Sequence, residues 1–368
     1  MSGTGPVGVG IIGAGVISNT YLENMTSFPD LRVLFVADLD LDRARTQAEA
    51  YNVPSHGTVD ELLAIDEIEI VVNLTIPRVH VEVDRRIIAA GKSVWSEKPL
   101  ALDRDAASDL LAEAAAAGLR VACAPDTVLG AGIQTAMRAI ARGDIGEPLT
   151  ATTMFHVPGP ELWHPNPDFL YAIGAGPLLD IGPYYLTALV HAFGAVDQIS
   201  AVSSRSHDRR IIGSGPRQGE QFPVEVPTHH AALVSFESGQ SAQTTFSFQN
   251  ALSRAGMVEI SGTEGTLVLP DPNTFEGDST LYRFGSEVPQ VITATGSFHG
   301  RGSGVVDLAR ALRGGPTETA SGTLASHVLD TLLAIADSAE RREGVEVTST
   351  VEKPTPFAES WDPAESTL

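Results

Sequence analysis

Short apolar runs alternate with helical patterns through the first 125 residues. Residues 7–12, 32–37, 70–74, 93–95 and 121–124 read as five buried strands. Residues 43–51, 79–90 and 104–117 carry helical spacing between them. Gly91 and Gly118 fall just past the last two helices, where a left-handed residue is expected. Strand–helix alternation of this kind predicts a parallel, doubly wound α/β sheet. From about Ala124 the pattern changes. A helix over 132–142 leads into long segments with one polar face, at 150–157, 199–206, 229–237, 241–248 and 257–261. These predict a second α/β domain with an open-faced, largely antiparallel sheet, helices on one side and the other side left for a substrate or partner subunit. Two later helices are expected at 305–313 and 324–342, then an irregular tail from Thr348. The expected division is 1–125 and 126–368.

Composition narrows the function classes. At 368 residues, 43% hydrophobic and 19% charged, the chain is globular and long enough for two cores. Its net charge of −22 argues against nucleic acid or an anionic membrane surface as the main partner. Phosphate ligands stay open, because a few backbone N–H groups bind them locally. The single cysteine, Cys123, sits in an apolar run and suits a small buried side chain. The segment from Met1 to Pro6 lacks the basic and apolar regions of a signal peptide, and no run of about 18 apolar residues occurs. A cytoplasmic, membrane-free protein is expected.

Gly13-Ala-Gly15-Val16-Ile17-Ser18 lies between a predicted strand and a predicted helix, as the dinucleotide fingerprint of a Rossmann domain does. Gly13 permits the tight turn, Gly15 lets a pyrophosphate approach, and Ser18 takes the small third position. Asp38 ends the second strand, 23 residues after Gly15. A carboxylate there bonds ribose hydroxyls and repels a 2′-phosphate, so NAD is favoured over NADP. Arg43 and Arg45 soften that preference. Two more cofactor elements follow later strands. Thr75-Ile-Pro77-Arg-Val-His80 sits at a strand's carboxyl end, with His80 either capping the helix or approaching the cofactor. Glu97-Lys98-Pro99 puts a cation near the nicotinamide.

Candidate substrate contacts are Asp126, after the last parallel strand, and Trp163 and His164 in a Pro-rich loop. Tyr185 joins them from the stretch Asp180-Ile-Gly-Pro-Tyr184-Tyr185. Pro183 is comfortable only in a first helical turn, so a helix is expected to start near Gly182 with Asp180 at its edge. The histidines are scattered, no pair has zinc-site spacing, and no metal is expected.

Together, Gly10 to Ser18, Thr75-x-Pro77-x-x-His80 and Glu97-Lys98-Pro99 resemble the glucose–fructose oxidoreductase / inositol dehydrogenase / MocA family. Arg142-Gly-Asp-Ile-Gly146-Glu-Pro148 and Gly174-Ala-Gly176-Pro-Leu-Leu-Asp180-Ile-Gly182 fit the same pattern. The resemblance implies NAD(P)-linked hydride transfer on a sugar, inositol or related polyol, with Lys98 and Asp180 in the active site. It also implies self-association, as homodimer or homotetramer, through the C-terminal sheet. Where the family often has Asp-x-x-x-His, this chain has Tyr184. Either Tyr184 exchanges the proton, its phenolate stabilised by an ammonium such as Lys98, or it is a pocket wall and Lys98 or water takes that role. Rival readings are an NAD-dependent glycosidase on the same fold and a non-catalytic dinucleotide sensor.

Overall fold

The five apolar runs form one sheet, joined by a short strand that the pattern did not reveal. In the computed structural model, which describes residues 4–368, the first unit contains β1 (Val7–Ile12), α1 (Val16–Met25), β2 (Leu31–Ala37) and α2 (Leu41–Ala50). There follow β3 (Ser55–Gly57), α3 (Val59–Leu63), β4 (Ile70–Asn73), α4 (His80–Ala89), β5 (Ser93–Ser96), α5 (Arg104–Ala116) and β6 (Val121–Cys123). The order is β3-β2-β1-β4-β5-β6, every pair parallel, so the strand order reverses beside β1. Strands β1, β4 and β5 are buried along their whole length, as the unbroken apolar runs require. Gly91 and Gly118 take φ of 74° and 68° just after α4 and α5. Helix α3 is short, yet its signal was present: Thr58 and Glu61 form a capping box.

The second unit begins with α6 (Ala131–Ala141), β7 (Pro148–His156), α7 (Gly176–Phe193) and β8 (Val196–Ser204). A small hairpin, β9 (Arg209–Ile211) and β10 (Gln221–Pro223), precedes β11 (His229–Phe236), β12 (Ser241–Ser247) and β13 (Arg254–Gly262). After β14 (Gly265–Leu269), β15 (Ser279–Arg283) and β16 (Gln290–Ile292) come α8 (Ser303–Leu312), α9 (Gly322–Arg341) and β17 (Val345–Glu346). The nine-stranded sheet runs β16-β15-β14-β13-β7-β12-β11-β8-β17, antiparallel except for β7 beside β12. Its inner face packs on α7 through β7, β11 and β12. In β11 the residues His230, Ala232, Val234 and Phe236 are buried, while Leu233 and Ser235 point the other way. The register carries that outward face across the sheet, from Val202 and Leu233 to Tyr282 and Val291, all about half-exposed or more.

The division of the chain is less simple than one cut after residue 125. The first unit comprises Met1–Gly130, Gly296–Ser326 and Phe357–Leu368, and the second Ala131–Thr295 and His327–Pro356. Helix α8 therefore belongs to the first unit. Its Gly304 lies so close to the fully buried Trp95 that a Cβ there would fall 2.0 Å from the indole, which only glycine avoids. Met1–Gly3, where part of the signal-peptide reading fell, lie outside the described residues. Among the described residues no helix is long and apolar enough to cross a membrane.

Three buried carboxyls of the first unit predict an unusual pH response. Burial pushes Asp84 and Asp307 up to about 7 and Asp126 up to about 6. Raised carboxyls bind protons in the folded state that the unfolded chain has already lost, so stability falls as pH rises from the usual carboxylate range through 6 and 7. Paired carboxyls work in the opposite direction. Arg313 holds Glu69 below its usual value, and Asp30 is lowered because bonds from Thr367 and Arg310 outweigh its burial. Their stabilisation is lost only in strong acid. Buried histidines act the other way: burial lowers His191 to about 3 and His230 to about 4, so their contribution to stability rises with pH up to the usual imidazole value. The thermal midpoint is therefore expected to fall between about pH 6.5 and 8, as Asp84 and Asp307 lose their protons; calorimetry showing a steady rise over that interval contradicts it.

Candidate active site

The parallel sheet presents its chemistry at the carboxyl ends of its central strands. Gly13, after β1, has φ of 106°, and its amide donates to the Ala37 carbonyl at 2.8 Å. A Cβ there would meet the Leu74 carbonyl at 2.8 Å. Gly15 differs: apart from its own stretch of backbone, nothing lies within 4 Å of where its Cβ would stand, so the space it leaves is open. Gly15 is the N-cap of α1 and gives the helix no side-chain cap; the Ser18 amide turns back to the Gly15 carbonyl at 3.0 Å, which leaves the two amides before it, of Val16 and Ile17, to an anion. Ser18 is fully buried and turns its hydroxyl back to the Gly15 carbonyl at 2.6 Å. Val16 is 90% exposed and Ile17 half-buried.

Asp38 is tied to this turn. One carboxylate oxygen accepts from the Ala14 amide at 2.7 Å, and the other from the Asp40 amide at 2.8 Å and Arg43 at 2.9 Å. The next residue, Leu39, is 97% exposed, and Ile76 beyond β4 is 60% exposed. With Val16 they give the edge apolar side chains that water alone does not explain. Such side chains suit the flat faces of a nucleotide's rings. Sequence reasoning missed both, although Leu39 stands out as an apolar residue between two aspartates in a strand–helix loop.

Thr75 points inward. Its amide and hydroxyl both donate to Asn73 Oδ1, at 3.1 and 2.6 Å, while Asn73 Nδ2 donates to Asp84 at 2.7 Å and to the His80 carbonyl at 3.2 Å. Asn73 was legible only as a polar residue closing an apolar strand. Pro77 opens a short 3₁₀ turn, Pro77–Val79, ahead of α4. His80 is fully buried with both ring nitrogens against backbone carbonyls, which places it within the scaffold.

Glu97 is likewise a support. Tyr21 of α1 donates to it at 2.9 Å, Trp95 Nε1 donates to the Tyr21 hydroxyl at 3.1 Å, and the second carboxylate oxygen accepts from the Lys98 amide at 3.1 Å. The helix that follows the glycine turn is thus linked to the peptide of Lys98, whose own side chain is half-buried. Cys123 is buried behind this loop, its thiol 3.7 Å from the Glu97 carbonyl and pushed up by burial.

Asp126, expected as a substrate contact, is placed by the fold as a helix cap. It is fully buried, and one oxygen accepts from the Gly302 and Gly304 amides at 2.8 and 3.3 Å, capping the start of α8. Arg301 Nη1 stands 3.9 Å from the other oxygen. A strand-end position made Asp126 look like a ligand contact; a partner 176 residues away made it a cap.

In the second unit, α7 starts at Gly176, not near Gly182. Pro177 occupies the first turn that the sequence reading gave to Pro183, and Pro183 lies inside the helix. Pro183 removes one backbone bond from α7, a cost that packing along most of the helix offsets. Asp180 is therefore in the second turn, half-buried, and Tyr184, one turn further, is 5% exposed. Their i, i+4 spacing on one helical face stands. Tyr185 is core: it is fully buried and accepts from the Gly256 amide at 2.8 Å, fixing the irregular start of β13. Trp163 is 68% exposed, and His164 packs edge-on against it and against Phe169. This loop is pinned from below, where Glu161 bonds Tyr171 and Arg210, and Arg217 grips Asp168 with two bonds of 2.7 and 3.0 Å.

The open helix start, the glycine clearance, the carboxylate after β2 and the exposed apolar side chains suit a dinucleotide. The comparisons agree. Residues 7–124 match the model of an oxidoreductase family with an NAD-binding Rossmann fold, and residues 133–268 match the GFO/IDH/MocA C-terminal domain. An uncharacterized oxidoreductase of Rhizobium meliloti is 31% identical over 266 residues, 72% of this chain and 74% of that protein. A trans-1,2-dihydrobenzene-1,2-diol dehydrogenase of Bos taurus is 27% identical over 268 residues, covering 72% and 74%. The crystal structure of an NAD binding oxidoreductase from Klebsiella pneumoniae superposes with a TM-score of 0.79 at 25% identity, over 93% of this chain and 99% of that one. A Rossmann half whose carboxyl edge is shaped for a dinucleotide, joined to this particular open-faced sheet, makes the chain a member of the GFO/IDH/MocA family of NAD-binding oxidoreductases.

Proposed function

We propose that the protein moves hydride between a nicotinamide dinucleotide, NAD in preference to NADP, and a hydroxyl-bearing carbon of a sugar, an inositol or a related cyclic polyol. The observation that carries this is the carboxyl edge of β1 and β2, where the uncapped start of α1 and the carboxylate of Asp38 meet at Ala14. The relative named for a diol on a six-membered ring supports the substrate class. When bound, the dinucleotide supplies the hydride acceptor or donor. The chain's residues do the rest. Amides of the first turn of α1 bind the pyrophosphate, and Asp38 accepts from the ribose hydroxyls while opposing a 2′-phosphate. Lys98 orients the substrate oxygen and lowers the cost of negative charge on it. Asp180 is carried over from the family pattern, and Tyr184, at the place of that pattern's histidine, as the group exchanging the proton. The outward sheet face with Val202, Leu233, Tyr282 and Val291 supports pairing of copies as a dimer or tetramer.

The test is to incubate the protein with NAD or NADP and a panel of inositols, aldoses and ring diols, following absorbance of the reduced nucleotide. Reduction by at least one panel member, faster with NAD, is the expected result. Asp38→Asn is expected to narrow the NAD preference by about tenfold, the worth of one charge-assisted contact. Glycoside cleavage without net reduction points to a glycosidase, and silence with nucleotide still bound points to a sensor; either outcome overturns the proposal.

A further inference from the structure

The hydrogen-bond ladder between β4 and β5 ends where the Glu97 amide donates to the Asn73 carbonyl at 2.9 Å. Beyond it the chain opens into the two loops that carry Thr75 and Lys98. One side chain spans them. We propose that His80 is a positioning residue which bears hydrogen on both ring nitrogens, and so fixes the loop of Thr75 against the loop of Lys98.

The geometry leaves the ring little choice. Nδ1 lies 2.8 Å from the Pro99 carbonyl oxygen and Nε2 3.0 Å from the Thr75 carbonyl oxygen. A carbonyl oxygen only accepts, and a neutral imidazole has a single N–H. A neutral ring here would set one nitrogen lone pair against an oxygen lone pair at hydrogen-bond distance, inside a fully buried site. The doubly protonated ring satisfies both oxygens with charge-assisted bonds. The charged groups facing it, Glu97 and Lys98, both come from the loop after β5. Burial is the largest influence on the ring and, with Lys98, holds it below the usual imidazole value against the two carbonyls and Glu97; the ground for hydrogen on both nitrogens is the pair of acceptors they face. The main chain holds the ring in place independently, since His80 opens α4 and its carbonyl accepts from Asn73. The contact to Pro99 is one residue beyond Lys98, so the ring holds the far end of the lysine's loop, while Glu97 holds its near end.

The inference rests on the reading of Lys98 as an acting residue, and two measurements keep the two apart. Nitrogen NMR of histidine-labelled protein without nucleotide, with the His80 signals assigned by comparison with His80→Gln, reads the ring directly. Two protonated nitrogens near neutral pH are expected; one pyridine-like nitrogen overturns the proposal. In the same variant, kcat on the substrate found above is expected to fall about tenfold from misplacement of the lysine loop. Nucleotide Kd, measured by fluorescence quenching, is expected to stay within about threefold because the contacts of α1 are untouched. A lower thermal midpoint with unchanged kcat would mean a structural role alone and also overturns it. If Lys98→Met keeps full turnover while the ring carries two protons, the assignment of Lys98 has failed and the two-donor geometry of His80 has not.

Discussion

Lys98→Met is expected to reduce turnover by about 10³-fold, within the range a positioned proton-handling group contributes. Methionine keeps the length and apolar stem of lysine while removing the ammonium, so packing changes little. Nucleotide affinity is expected to hold within about threefold, because the pyrophosphate is bound by amides at the start of α1. Two anchors of the loop, the Glu97 carboxylate on Tyr21 and the Pro99 carbonyl on His80, do not involve the lysine side chain. Stopped-flow measurement of a single turnover separates the chemical step from release of product. Unchanged turnover would remove Lys98 from the mechanism and shift the burden to the tyrosine.

Asp126→Ala is expected to cost about 2–4 kcal/mol of stability, since two buried N–H donors lose their acceptor together. Those donors, on Gly302 and Gly304, open the helix that packs its glycine on Trp95. Asp126→Asn keeps an acceptor oxygen and is expected to cost about 1 kcal/mol, the worth of one ordinary buried hydrogen bond. Denaturant unfolding of the variants measures both. If the alanine variant instead kept its stability and raised KM for substrate alone, Asp126 would return to the substrate site.

Much of the fold was legible because parallel strands buried on both faces leave unbroken apolar runs, as 7–12 and 70–74 do. The glycine turn was legible because its residues act through the backbone, and backbone freedom is a local property. The candidates that the fold sets into its scaffold have one thing in common. Asp126, Tyr185 and His80 are polar residues whose partners are Gly302, Gly256 and Pro99, and nothing near them in sequence announces those partners. A buried polar side chain is defined by what lies across from it, so the same aspartate reads as ligand contact or as cap until the fold is known. Helix α7 was misplaced because a rule about proline was applied to Pro183 when Pro177 satisfied it. Strands β14 to β16 were missed because they are short and separated by turn-forming residues, which local pattern does not distinguish from loop.

The first unit is assembled from three stretches of chain, with most of the second unit made between them. This has a consequence for biosynthesis. Asp30 accepts from the amides of Thr367 and Leu368, more than 330 residues downstream, and Asp126 waits for glycines 176 residues away. At ordinary elongation rates of about 5–20 residues per second, the emerging parallel sheet spends roughly ten seconds or more with its α8 side uncovered. The nucleotide-binding half, though first off the ribosome, is thus the half whose last contacts close latest, and a truncated nascent chain of residues 1–130 exposes the apolar indole face of Trp95 to chaperones.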